Sequence, residues 1–101
     1  MPAKEVGGHR GFMARSLIDL PHKDVTVRLL TVTPGGIGPV PAHSHPDTHF
    51  FLVLEGTLEL EIDGQLLRIP SGSSVEVAPM RKHQLRCASE ERMTVLAVKW
   101  T

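Results

Sequence analysis

The chain has 101 residues with 11 basic and 11 acidic side chains, six histidines and one cysteine. This length fits one compact domain, and the balanced charge gives no reason to expect nucleic acid or a membrane surface as a partner. A single cysteine excludes an internal disulfide framework. No apolar stretch approaches the ~20 residues of a membrane-spanning helix, and we expect a small cytoplasmic protein.

Residues 1–24 are predicted to form an N-terminal arm, because the first part of the chain is polar, rich in glycine and without a period. Within it, Phe12–Leu20 is expected to supply an edge strand, either to the chain's own sheet or, by exchange, to that of a partner. Residues 25–101 are predicted to form the folded domain.

That domain is predicted to be all-β. Its first strand is expected at Val25–Thr33, which is rich in β-branched residues, and residues 34–41, rich in Pro and Gly, are expected to interrupt regular structure. Asp63-Gly64 is a strong signal for a two-residue hairpin. No stretch shows a helical period, and this spacing of turns indicates a sandwich or barrel. Further strands are predicted at Phe50–Leu54, Thr57–Ile62, Gln65–Ile69, Ser74–Ala78, His83–Cys87 and Met93–Trp100.

Three histidines, His43, His45 and His49, lie within seven residues. Neutral imidazole is a common ligand for Zn, Cu, Fe and Ni. On an extended strand His43 and His45 share a face, roughly 6.6 Å apart. His49 would lie roughly 13 Å further along a straight strand, so the chain must bend, and Pro46 and Asp47 suit a turn there. We therefore predict that His43 and His45 end one strand and that His49 begins the next. All three rings are expected to point toward one position.

These residues resemble the first motif of the cupin family, which reads glycine, His-x-His, glutamate and a second glycine. Gly38, the pair His43 and His45, and Gly56 stand at the matching positions, whereas His49 replaces the glutamate. A histidine there is similar to the four-histidine subclass of cupins. We therefore interpret His49 as a changed ligand rather than a lost one.

The second cupin motif is matched more loosely, by Gly72, Pro79 and His83, with Cys87 in place of the usual asparagine. The resemblance covers roughly Val25–Trp100 and implies a double-stranded β-helix, or jelly-roll barrel. It also implies one divalent ion per chain, of manganese, iron, zinc, nickel or copper, and a homodimer paired through sheet faces or exchanged N-terminal strands. The implied metal ligands are His43, His45, His49 and His83.

Each of these assignments has a plainer alternative. The histidines could be surface or core residues without a metal, and His9 and His22 lie outside the motif and are assigned no role. Cys87 is either a thiol close to the metal or a small buried residue. The residues expected to line a substrate pocket are Phe51, Val53 and Leu85.

Four neutral imidazoles would leave the charge of the ion uncompensated, which favours anionic oxygen ligands. The two open positions of a six-coordinate ion suit a substrate that chelates through two oxygens, or a substrate beside O₂. No other catalytic set is present, so metal-bound water or hydroxide is the expected acid–base group. A dioxygenase-type oxidoreductase acting on a small oxygenated molecule is the first hypothesis. A non-catalytic metal or ligand sensor and a metal-dependent isomerase are the alternatives, and whether the protein is an enzyme stays open.

Overall fold

A computed structural model describes residues 3–20 and 23–101 of the chain. In this part of the chain no helix is long and apolar enough to cross a membrane. The described residues form nine strands. These are β1 Lys4–Glu5, β2 Arg10–Leu20, β3 Val25–His43, β4 Thr48–Glu55, β5 Thr57–Ile62, β6 Gln65–Pro70, β7 Ser74–Val77, β8 His83–Cys87 and β9 Met93–Trp100.

The strands pair in the order β6–β5–β8–β3–β9–β4–β7, and all pairs are antiparallel. This arrangement confirms the predicted all-β jelly-roll barrel. Strand β3 connects its two halves, because Val25–Val32 pairs with β9 and Ile37–His43 pairs with β8. The turn predicted at Asp63-Gly64 joins β5 to β6, with φ of 48° and 85° at its two residues, as a type I′ hairpin requires.

The predicted interruption at residues 34–41 is wrong, because β3 runs through it. Proline fixes φ near −65°, which an extended strand accepts, and removes one N–H. The missing N–H matters little in this stretch, because β3 changes partner from β9 to β8 there. The irregular register between Gly38 and His43 marks the bend that results.

The barrel core consists of apolar side chains from alternate positions of facing strands. In the first part of β3 the even-numbered side chains face the interior, and Leu30 and Val32 are buried. Burying each such side chain stabilises the fold by about 1.5–3 kcal/mol. The fully buried members are Leu58, Leu60, Met93, Val32, Val53, Val77 and Val95.

The described part of the N-terminal arm lies on the barrel of its own chain. Strand β2 pairs with the first part of β3, from Phe12 opposite Val32 to Leu20 opposite Val25. Phe12 is buried in the core. The two-residue strand β1, too short to detect in the sequence, pairs with β2. This hairpin carries His9 to the cavity described below.

Candidate metal centre

Three imidazole rings converge at one end of the barrel. His45 follows β3, His49 lies in β4, and His83 begins β8. One ring nitrogen of each lies within 4.8 Å of those of the other two. Ligands bound about 2.1 Å from one ion are separated by about 3–4 Å, so a small contraction would close this group around an ion.

His43, the fourth predicted ligand, lies further out. It is the last residue of β3, is exposed, and stands opposite His83 in the register of β3 and β8. Its ring centroid is 6.0 Å from that of His45. The structure therefore brings three of the predicted ligands together and places His43 at the rim of the same cavity.

The ring of His83 is held by its backbone surroundings. The side chain is 4% exposed, and Nδ1–H donates to the Arg81 carbonyl at 3.1 Å, which leaves Nε2 for a metal. Arg81 in turn contacts the Asp63 carboxylate, and the Lys82 N–H donates to that carboxylate at 3.0 Å. The hydrogen bond from Arg81 and that from Lys82 lower the pKa of Asp63. The β5–β6 turn therefore fixes the segment that leads into His83.

Burial favours the neutral form of His45 and His49. Desolvation, followed by the charges of His83 and His45, lowers the pKa of His49 to about 4. Desolvation and the neighbouring His83 and His43 also lower the pKa of His45. Imidazole binds metal in its neutral form, so both rings are in the competent state at neutral pH.

A cavity of about 280 Å³ lies beside the three rings. Phe51 and Leu85, two of the predicted pocket residues, are in its wall. Val53 is not; it is fully buried in the core beneath. This volume accommodates a small organic molecule beside an ion.

Residues 28–99 match the Cupin_2 family of cupin domains. The chain belongs to this family. A comparison with curated proteins finds no match.

Solved structures share the fold of this cupin. The cupin domain of Schizosaccharomyces pombe Cnp3 is 12% identical with a TM-score of 0.86, covering 100% of this chain and 69% of that one. A predicted oxalate decarboxylase from Thermotoga maritima is 17% identical with a TM-score of 0.86, covering 97% and 90%. The polyketide cyclase RemF from Streptomyces resistomycificus is 24% identical with a TM-score of 0.84, covering 98% and 72%. At these identities the likeness shows the fold alone.

His9, to which the sequence assigned no role, lies in the wall of this cupin's cavity. Its Nδ1–H donates to the Gly7 carbonyl at 2.7 Å, its ring centroid is 4.7 Å from that of Phe12, and it lines the cavity. Burial lowers its pKa. The pairing of β2 with β3 brings His9 to this position. Gly38 is the sequence feature that accompanies it, because a side chain at residue 38 would collide with the His9 ring. His22 lies outside the described residues.

Two basic residues, Arg28 and Lys99, complete the wall of this cupin's cavity. Lys99 Nζ lies 3.8 Å from Asp47 Oδ2. None of the described residues that line the cavity is an aspartate or glutamate. The cavity therefore has a positive character even before a metal is considered.

Cys87 is distant from the histidines. It is 2% exposed, and its sulfur lies 3.3 Å from the Glu91 carbonyl oxygen. It lies four positions after His83 on β8, or roughly 13 Å along the strand. These contacts fit a small buried core residue at the end of β8 opposite His83.

Proposed function

We propose that this cupin binds one divalent transition-metal ion through His45, His49 and His83, with His43 as a fourth ligand. The observation that carries the proposal is the convergence of three ring nitrogens within 4.8 Å beside a cavity. Imidazole suits iron, nickel, copper and zinc, whereas manganese stands lowest in the general affinity order of these ions, so the donor set favours the first four.

We propose further that the site carries out dioxygenase-type oxidation of a small oxygenated molecule. A bound redox-active ion would supply Lewis acidity and a means of activating O₂. Cleavage of an enediol carbon–carbon double bond by O₂ gives two carboxylic acids, incorporates both oxygen atoms and consumes no other reductant. Phe51 and Leu85 would hold the carbon skeleton and exclude water. His9 offers a further imidazole in the wall that can accept a proton.

The metal proposal is tested on protein purified without a chelator or an affinity tag. Elemental analysis, followed by titration with Mn²⁺, Fe²⁺, Zn²⁺, Ni²⁺ and Cu²⁺, should find one ion per chain. His49→Gln should weaken binding at least about a hundredfold, because it removes one of the four proposed ligands. His9→Gln is the matched control, since His9 lines the cavity outside the ligand group. A wild-type protein that remains empty with every metal would overturn the proposal.

The oxidation proposal is tested by oxygen uptake with a panel of catechols, enediols and 2-oxo acids. Under ¹⁸O₂ two labelled atoms should enter the products. Anaerobic proton exchange at a substrate carbon without oxygen uptake would instead identify an isomerase.

A second candidate function is a non-catalytic binding cupin. It is favoured by one observation, the lack of a carboxylate among the described residues of the cavity wall, which leaves few acid–base groups. Tight retention of a redox-inert ion, with no oxygen uptake and no exchange, would support it.

A further inference from the structure

Arg28 has an unusual position for a charged residue. It lies on β3 at the same parity as Leu30 and Val32, which are buried in the core, so its side chain lies on the inner face of the barrel. It lines the cavity beside the histidines. Its neighbours in the register are Ser16 on β2 and Ala97 on β9, and the small Ala97 side chain leaves space beside it.

No carboxylate forms an ion pair with Arg28 within the described part of the chain, although Glu5 lines the neighbouring cavity that Arg28 also borders. The ion pairs found there involve Arg81, Arg86, Arg92 and Lys99, and the described lining of the cavity includes no carboxylate. A half-buried guanidinium without a counter-charge is unfavourable, whereas its planar fork of donors matches a carboxylate in two parallel hydrogen bonds. The Arg28 guanidinium therefore gives the cavity wall a recognition group for an anion.

The register relates Arg28 to the metal ligands. Lys99 on β9 is paired in register with Thr26 on β3 and with His49 on β4. Arg28, Ala97 and Phe51 form the next inward-facing row, roughly 7 Å further along the strands. One small molecule can therefore contact the histidine end with one group and Arg28 with another.

We propose that Arg28 is a specificity-determining residue that binds a carboxylate of the ligand, whose opposite end presents two oxygens to His45, His49 and His83. The ligand class is a small 2-oxo or 2-hydroxy acid, or an enediol, that carries a second carboxylate. This inference rests on the proposed metal site and selects among its substrates.

Two probes of equal chain length isolate the second carboxylate. 2-Oxoglutarate and 2-oxopentanoate share the same chelating end and differ at the far carbon, which is a carboxylate in the first and a methyl group in the second. Calorimetric titration of the metal-loaded protein should show a preference of about tenfold to a hundredfold for 2-oxoglutarate, the range for hydrogen bonds to charged groups. The preference should decrease as ionic strength rises.

Three variants test whether Arg28 causes the preference for 2-oxoglutarate. Arg28→Gln should abolish it while leaving metal affinity and 2-oxopentanoate affinity within about twofold, and Arg28→Lys should restore part of it, since an ammonium lacks the bidentate fork. Arg15→Gln is the matched control, because Arg15 is an exposed residue of β2. It removes the same charge and should keep the preference.

The role of Arg28 and the metal site can be refuted separately. If the wild-type protein binds metal but shows no preference, or Arg28→Gln retains it, the role of Arg28 is refuted and the metal site stands. If the wild-type protein takes up no metal, the same comparison is made on metal-free protein by NMR shift titration. If metal-free protein prefers 2-oxoglutarate and Arg28→Gln abolishes that preference, the anion subsite is supported without the metal site. If the wild-type protein shows no preference, the anion subsite is overturned.

Discussion

At the scale of single residues, the buried histidines link stability to pH. Burial holds the pKa of His49 at about 4 in the fold, below its ordinary value of 6.5. Between these values the unfolded chain binds a proton that the folded chain does not, so the stabilisation present above pH 6.5 is lost as pH falls toward 4. The slope is at most about 1.4 kcal/mol per pH unit, reduced by the partial exposure of the ring. His45 acts in the same direction.

Urea denaturation of chelator-treated protein at pH 7.5 and pH 5.0 measures this effect. We expect a lower free energy of unfolding at pH 5.0 and a smaller difference between the two pH values in His49→Gln. An equal difference in the variant and the wild type would show that His49 does not cause it.

The candidate site was partly predictable from single residues. The strand spacing of His43, His45 and His49 required a bend, and the structure brings His45 and His49 together with His83. Arg28 could not be identified, because alternation in Val25–Val32 separates two faces without showing which is inner when both carry apolar residues. His9 lacked any local signal, since its place depends on a pairing between distant strands.

At the scale of elements, Gly38 allows the N-terminal hairpin to close over β3. A Cβ at this position would collide with the His9 ring and lie 2.7 Å from His9 Cβ. Gly38→Ala should therefore displace His9 and destabilise the fold by about 1–3 kcal/mol, the usual range for overpacking. Chemical denaturation measures the loss, and hydrogen exchange of β1 and β2 amides should rise with it.

A double-mutant cycle isolates the cause. If the collision with His9 is responsible, Gly38→Ala should be nearly neutral in a His9→Ala background. A full loss of stability in that background would place the strain in the backbone of β3 instead.

Elements with a strong local pattern were predictable, and those set by their partners were not. The alternation of β5 and the turn at Asp63-Gly64 are local features, and both stand in the structure as predicted. The continuation of β3 through its prolines depends on the exchange of β9 for β8 as its partner. The two-residue β1 exists only because β2 is there to pair with it.

At the scale of the whole molecule, an apolar surface crosses the outside of the barrel. Ile18, Val27, Val98 and Phe50 are aligned in register on β2, β3, β9 and β4. On β3, β9 and β4 these positions alternate with the core residues. Ile18 is 49% exposed, the other three are partly exposed, and Val98 also borders the histidine cavity. Contiguous apolar patches of this kind mark interaction sites. We propose that two copies of the chain pair through this face as a homodimer.

Light scattering coupled to size exclusion should find twice the 11.1 kDa mass of the chain. Ile18→Lys places a charge in the proposed interface and removes an apolar contact, so the dimer dissociation constant should rise at least about tenfold. Leu66→Lys is the matched control, because Leu66 is 58% exposed on β6, which does not belong to this face. A wild-type mass of one chain, or equal dissociation by the two substitutions, would contradict the proposed interface. Retention of metal by monomeric Ile18→Lys is also expected, since one chain contains all three converging ligands.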